Sequence, residues 1–333
     1  MELPAPLRAA VEQMLAHEPI ERLARASEKL SDRYRREVRD GKFHLDGELA
    51  AKAYLATRLP ATYAAMRATL SMVEEASPDF EPASLLDFGA GPGTVFWAAT
   101  NAWPELDRAT LVEASPAIRS VGAALATHSN VASEWLAGDV TGTVPQLEPA
   151  DLVTLAYVLD EIAETAIPNV VQRLWDLTAH TIVIVEPGTP AGWRRILAAR
   201  QTLIDAGAQV VAPCPHAQTC PITAPDWCHF SRRVARSRVH RLSKGAEVPW
   251  EDEKYIFIAA SRHAAAPPSA RVLAPPRTSS GLARLKLCLA DGRAEELTVS
   301  RRDGAVFKAA RRADWGDAFE PETGEGGGDD DQA

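Results

Sequence analysis

The first half of this chain carries its chemistry on a glycine turn and three acids. Leu85-Leu86-Asp87-Phe88 is an apolar run holding an acid; Gly89, Gly91 and Gly93 follow at alternate positions and lead into Thr94-Val95-Phe96-Trp97. Glycine suits such a turn because the backbone must take positive φ and come close to a ligand. A helix starting there presents N–H groups without intrahelical partners. Asp87 stands where a ligand bearing an amine and a sulfonium, in place of a phosphate, would be met. Glu113 lies 26 residues beyond Asp87, at the end of another apolar run, where a carboxylate can accept both hydroxyls of a ribose. Asp139, in Ala137-Gly138-Asp139-Val140, can accept from an adenine amino group. One such acid alone reads as a solvated strand end. Three at the ends of successive strands beside a glycine turn point to a nucleoside site.

The second half carries all four cysteines: Cys214, Cys220 and Cys228 within fifteen residues, and Cys288 far downstream. Buried thiols are one reading, and disulfides fit poorly with a reducing compartment. A four-thiolate metal site is another. Structural zinc favours short Cys-x2-4-Cys pairs, whereas the gaps here are five, seven and fifty-nine residues. Longer, proline-rich spacing suits an iron–sulfur cluster better, and His216 and His229 are substitute ligands should the metal be zinc. In either case Cys288 would clip the C-terminal part of the chain onto the rest.

The elements that must position these residues alternate in type. Spaced apolar positions (Leu7, Val11, Leu15, Leu23, Leu30) predict an N-terminal helical region over 1–78, broken at Pro60 and closed by Ser77-Pro78. Strands are predicted at 84–88, 109–113, 131–137, 151–157 and 181–186, with helices at 92–102, 116–127, 161–178 and 190–206 between and after them. That alternation predicts an α/β fold, a doubly wound Rossmann-like sheet over 79–262, with the cysteine-rich segment 213–230 inserted in it. Residues 234–242 and 255–261 read as a closing strand pair. Pro267-Pro268 and Pro275-Pro276 mark 263–280 as a linker. Residues 283–289, 295–300 and 305–309 predict a small β unit within 281–319, turning at Asp291-Gly292 and Asp303-Gly304.

Charge narrows the partners without choosing one. The net charge is −9, of which the Gly-rich segment 320–333 contributes −6, leaving a nearly balanced −3; that segment is expected to be disordered. Residues 231–244 hold Arg232, Arg233, Arg236, Arg238, Arg241 and Lys244 with no acid, a solvated face or a phosphate-contacting patch. Arg301, Arg302, Lys308, Arg311 and Arg312 could add to the latter. No apolar run reaches the roughly 18 residues of a membrane span, and the first residues lack the basic and apolar regions of a secretory signal. The expectation is a cytoplasmic protein with no membrane partner.

G-x-G-x-G with an acid two residues ahead is the pattern of S-adenosylmethionine (SAM)-dependent methyltransferases. The second half is more specific. Pro213-Cys214-Pro215-His216, Cys220-Pro221, Trp227-Cys228-His229-Phe230, Asp252-Glu253-Lys254-Tyr255, Cys288 and Trp315-Gly316-Asp317 together resemble the ribosomal small subunit protein 22 family, over roughly residues 45 to 319. The resemblance implies a SAM-methyltransferase fold and association with the small ribosomal subunit and its rRNA during assembly. It also implies a four-iron, four-sulfur (4Fe-4S) cluster on Cys214, Cys220, Cys228 and Cys288, with SAM met by Gly89, Gly91 and Gly93. Methyl transfer is a separate matter. Ala156-Tyr157-Val158-Leu159-Asp160-Glu161 follows the fourth strand, without the polar-Pro-Pro-aromatic platform on which exocyclic-amine methyltransferases hold a flipped base. Tyr157, Asp160 and Glu161 lie near a substrate position, where helix capping accounts for the acids equally well. The alternatives are a small-molecule or protein methyltransferase with a structural zinc site, in which the basic stretch is a solvated face, and a non-enzymatic assembly scaffold with a vestigial SAM pocket.

Overall fold

The computed structural model describes residues 2–35, 47–142, 146–245 and 247–320. The expected acidic tail lies, apart from Glu320, outside the described residues. The chain opens with helices α1 (Ala5–Leu15), α2 (Ile20–Arg35), α3 (Glu48–Thr57) and α4 (Leu59–Ala76). It continues with β1 (Ser84–Phe88), α5 (Thr94–Ala102), β2 (Arg108–Glu113), α6 (Pro116–Ala126), β3 (Ala132–Ala137) and β4 (Ala150–Ala156). Next come α7 (Ile167–Asp176), β5 (Thr178–Pro187), α8 (Pro190–Asp205), β6 (Gln209–Ala212), β7 (Phe230–Ala235), α9 (Arg238–Lys244) and β8 (Trp250–Ser261). Last are β9 (Ala270–Val272), β10 (Arg277–Thr278), β11 (Leu282–Leu289), β12 (Ala294–Ser300), α10 (Gly304–Arg312) and β13 (Ala318–Phe319).

The main sheet runs β3-β2-β1-β4-β5-β8-β6, with β7 also paired to β8. β3, β2, β1, β4 and β5 are mutually parallel, and β8 is antiparallel to β5, β6 and β7. β-branched residues make β5 a strand, and burial of Ile182, Val183, Ile184 and Val185 places it in the centre with both faces covered. Helix α7 packs through Ile167, Val170, Val171 and Leu174, the three-and-four spacing of one helix face. Pro168 in its first turn fixes the start, so this helix is shorter than the predicted 161–178. Helix α4 buries Tyr63, Met66, Leu70 and Val73 against the main core.

Three expectations downstream are corrected. Residues 234–242 are not one strand: β7 ends at Ala235, and α9 begins after Ser237, whose side chain accepts from His240 N at 3.1 Å. Gly245, at φ +58, closes that helix. Residues 305–309 are helical because Ser300 and Asp303 form a capping box ahead of α10, whose Val306, Phe307 and Ala310 face the small sheet's core. The stretch 263–280, expected as a linker, contains β9 and β10, both paired to β11; its prolines flank these short strands.

The small sheet runs β10-β11-β9-β13, with β12 on β11. Side chains alternate along a strand with period two. Leu285, Leu287 and Leu289 of β11 therefore enter the small unit's own core, while Cys288 enters the core of the main sheet. On β9 the same alternation sends Ala270 and Val272 inward and leaves Arg271 facing with Cys288, its cross-strand partner in register.

Candidate functional site

The glycine turn has the conformation its composition predicts. Gly89, Gly91 and Gly93 have φ of +64, +55 and +82. A Cβ on Gly89 would lie 2.3 Å from Val158 Cγ2, whereas one on Gly91 would meet nothing within 4 Å. Gly91 N donates to Glu113 Oε2 at 2.9 Å and Ser115 N to Oε1 at 2.7 Å, so Glu113 braces the turn from the end of β2. Each oxygen retains acceptor capacity for a ribose hydroxyl.

Parallel register sets Asp87 opposite Thr154, and the Thr154 hydroxyl donates to Asp87 Oδ1 at 2.6 Å. Asp87 Oδ2 is buried without a hydrogen-bond partner, an acceptor suited to a cationic amine. Burial pushes this carboxyl up to about 7, the Thr154 hydroxyl opposing the shift and Glu113 adding to it. The unfolded carboxyl ionises near its ordinary 3.8. The folded chain thus binds the extra proton between about pH 4 and pH 7, and stability falls as pH rises through that window, by up to roughly 4 kcal/mol. Asp87→Asn is expected to flatten that fall, read from urea midpoints at about pH 5 and about pH 8; equal slopes in both proteins would contradict it. A cation at Oδ2 favours the carboxylate, so its affinity should rise with pH through the same window.

Asp139 lies two residues past β3, on the same sheet edge, and is exposed. Its Oδ1 accepts from Thr141 N and Oγ1, both at 2.7 Å; among the described residues no hydrogen bond or ion pair ties it to the glycine turn.

The N-terminal helices supply residues that sequence reasoning missed. A cleft of about 1210 Å³ beside the turn is lined by Tyr54, Arg58, Tyr157, Asp160, Arg194 and Glu253 among others. Arg58 grips Glu253 with two hydrogen bonds, at 3.0 and 3.3 Å, and that carboxylate, the largest cause, holds the guanidinium above its ordinary range. Among the described residues Tyr157, at φ +60, is the non-glycine residue in left-handed conformation, of the kind that collects at functional sites. Its hydroxyl is buried without a hydrogen-bond partner.

The four cysteines meet beside α8. Cys214, which follows β6, Cys220 and Cys228, which precede β7, and Cys288 of β11 all line one cavity of about 30 Å³, together with His216. All four are free thiols. Burial, then the neighbouring Cys214, Cys220 and Cys288, push the Cys228 thiol well above its ordinary value; burial, then Cys214 and Cys220, push Cys288 up to about 12. Among the described residues no group of three or more His, Cys, Asp or Glu side chains is placed to hold a metal ion; four thiols on one cavity are nonetheless a donor set of the kind that holds an iron–sulfur cluster. Of the two candidate histidines, His216 Nε2 lies 3.4 Å from Cys288 Sγ. His229 instead stacks on Trp227 (centroids 5.0 Å apart) and meets Trp315 edge-on at 4.8 Å.

The basic stretch is partly neutralised within the fold. Arg233 pairs with Asp252 at 2.9 Å, and Arg236 and Lys244 reach Glu251 at 3.2 and 2.8 Å. Among the described residues Arg238 and Arg241 show no ion pair.

A sheet in this order, with one reversed strand between β5 and β6 and a glycine turn after β1, is the fold of SAM-dependent methyltransferases. The family model described as Mitochondrial small ribosomal subunit Rsm22 matches residues 48–320, and the chain belongs to that family. Human "Ribosome assembly protein METTL17, mitochondrial" is 28% identical over 299 residues, covering 81% of this chain and 64% of that protein. "Rsm22-cox11 tandem protein 2, mitochondrial" of Schizosaccharomyces pombe is 24% identical over 322 residues, covering 80% and 42%. The chain thus spans about two fifths to under two thirds of these relatives' length. Similar solved structures include magnesium protoporphyrin IX methyltransferase from Synechocystis PCC 6803 with bound SAM, 12% identical, covering 70% of this chain and 91% of that one at a TM-score of 0.42. An O-methyltransferase family protein from Burkholderia thailandensis is 13% identical, covering 74% and 73% at a TM-score of 0.44. No helix among the described residues is long and apolar enough to cross a membrane.

Proposed function

We propose that this chain is a SAM-binding factor that associates with the small ribosomal subunit and its rRNA during assembly and holds a 4Fe-4S cluster on Cys214, Cys220, Cys228 and Cys288. The observation that carries the reading is the meeting of four cysteines, from segments far apart in sequence, on one cavity in a chain of this family. SAM would sit with its amine toward Asp87 Oδ2 and its ribose toward Glu113, with the adenine toward Asp139. A cluster ties Cys288 to the main sheet, so ligation free energy becomes folding free energy. Thiols serve as ligands in a reducing compartment such as the cytoplasm; the names of the relatives place those proteins in mitochondria.

Binding and methyl transfer are separable. Tyr157-Val158-Leu159-Asp160 offers no Pro-Pro platform, and transfer of a labelled methyl group from SAM to small-subunit rRNA reads the activity directly. The association is tested by co-sedimentation with purified small ribosomal subunits. The wild-type chain is expected to sediment with them and to be released as salt rises. Arg238→Glu with Arg241→Glu should weaken sedimentation on the order of tenfold, since two phosphate contacts are lost. No sedimentation at low salt would overturn the reading. Arg236→Glu serves as a contrast: it places a second acid against Glu251 and is expected to lower stability by about 2 kcal/mol, measured by urea unfolding.

A further inference from the structure

The cysteine cavity has two lining residues that the thiol reading does not use. Arg200 of α8 is 3% exposed and Arg271 of β9 is 1% exposed, and both border the cavity. Arg200 Nη2 donates to His216 O and Gln218 O, each at 2.8 Å, bracing the loop between Cys214 and Cys220. Arg271 Nε donates to Pro213 O at 3.2 Å, and its Nη1 to Gly316 O at 3.0 Å and to Glu75 at 3.3 Å. Arg200 Nε and Arg271 Nη2 are buried with no hydrogen-bond partner.

Buried charges are ordinarily paired. Here Arg271 pairs with Glu75, whose side chain is 51% exposed; among the described residues Arg200 has no ion pair. Cys288 stands in register with Arg271 on the neighbouring strand, so thiol and guanidinium leave the small sheet on the same face. Two cationic donors with a free N–H each, set around four thiols, call for an occupant with net negative charge. Four thiolates around an iron–sulfur core meet that requirement, because their charge outweighs that of the core.

We infer that Arg200 and Arg271 are positioning residues for the thiolate-held group: they brace the loops that carry the cysteines and donate their free N–H groups to its sulfur atoms. The inference rests on the cluster reading above. Cations and donors beside a cluster stabilise its more reduced, more negative state, so they raise its reduction potential.

The test uses the full chain purified without oxygen, with iron and sulfide content and a reductive titration with dithionite for wild type, Arg200→Gln, Arg200→Lys and Arg271→Gln. The Gln variants should hold the cluster at a lower midpoint potential or lose it from a chain that remains folded by circular dichroism. Arg200→Lys, which keeps the charge, should shift less than Arg200→Gln. For variants that do not fold, wild-type protein with ¹⁵N-labelled arginine supplies a second measurement: the reduced cluster's spin should couple to arginine nitrogen. Full iron and sulfide with an unmoved potential, or no such coupling, overturns this inference and leaves the cluster reading standing. Wild-type protein without iron or sulfide overturns both.

Discussion

Gly91→Val is expected to weaken SAM binding on the order of 100-fold while leaving a folded chain, measured by isothermal titration calorimetry with thermal unfolding as the control. The position separates ligand from fold unusually well. Gly91 has φ +55, and a Cβ there meets nothing within 4 Å, so the new side chain enters the space at the sheet's carboxyl edge where ligands of open α/β sheets lie. A β-branched residue in left-handed conformation costs about 1–2 kcal/mol, tolerable for a core of this size. Gly89→Val, by contrast, would drive its Cβ to 2.3 Å from Val158 and is expected to damage the fold itself. Unchanged SAM affinity in Gly91→Val would remove the turn from the site. Unchanged subunit association alongside lost SAM binding would make the factor a scaffold for which SAM is dispensable.

The second large effect is expected at Cys228. Serine is nearly the size of cysteine and the site is in a cavity, so Cys228→Ser should cost the apo chain about 1 kcal/mol or less. The holo chain should lose far more, because removing one of four ligands releases the group that ties Cys288 and the small sheet to the main sheet. The readouts are the gap between holo and apo unfolding midpoints, wide in wild type and closed in Cys228→Ser, and faster proteolysis between β8 and β9. Identical holo midpoints would mean that the thiols carry no group that stabilises the fold.

The conformation of the glycine turn and its link to Glu113 were legible because their signals are local. Asp87, Glu113 and the glycines announce themselves by type and by position at strand ends, and the parallel order β3-β2-β1 brings those ends to one edge. Thr154 was not legible, since its link to Asp87 is a matter of strand register. Tyr54 and Arg58 come from helices whose docking against the sheet no local pattern states. Residues 234–242 differ from the expected strand because the cap at Ser237 and the terminator Gly245 set a short helix there, and the capping box at Ser300 and Asp303 does the same for 305–309. The cysteines were visible as a set, but Arg200 and Arg271 join them only through the packing of α8 and β9, remote in sequence and unremarkable in type.

The measurement that bears most directly on the central claim is the content of iron, acid-labile sulfide and zinc in the wild-type chain purified without oxygen, with its visible absorption spectrum. The account predicts about four irons and four sulfides per chain with little zinc. One zinc without sulfide, or no metal at all, would contradict it, and the chain would then be a methyltransferase-fold protein whose four cysteines serve zinc or packing.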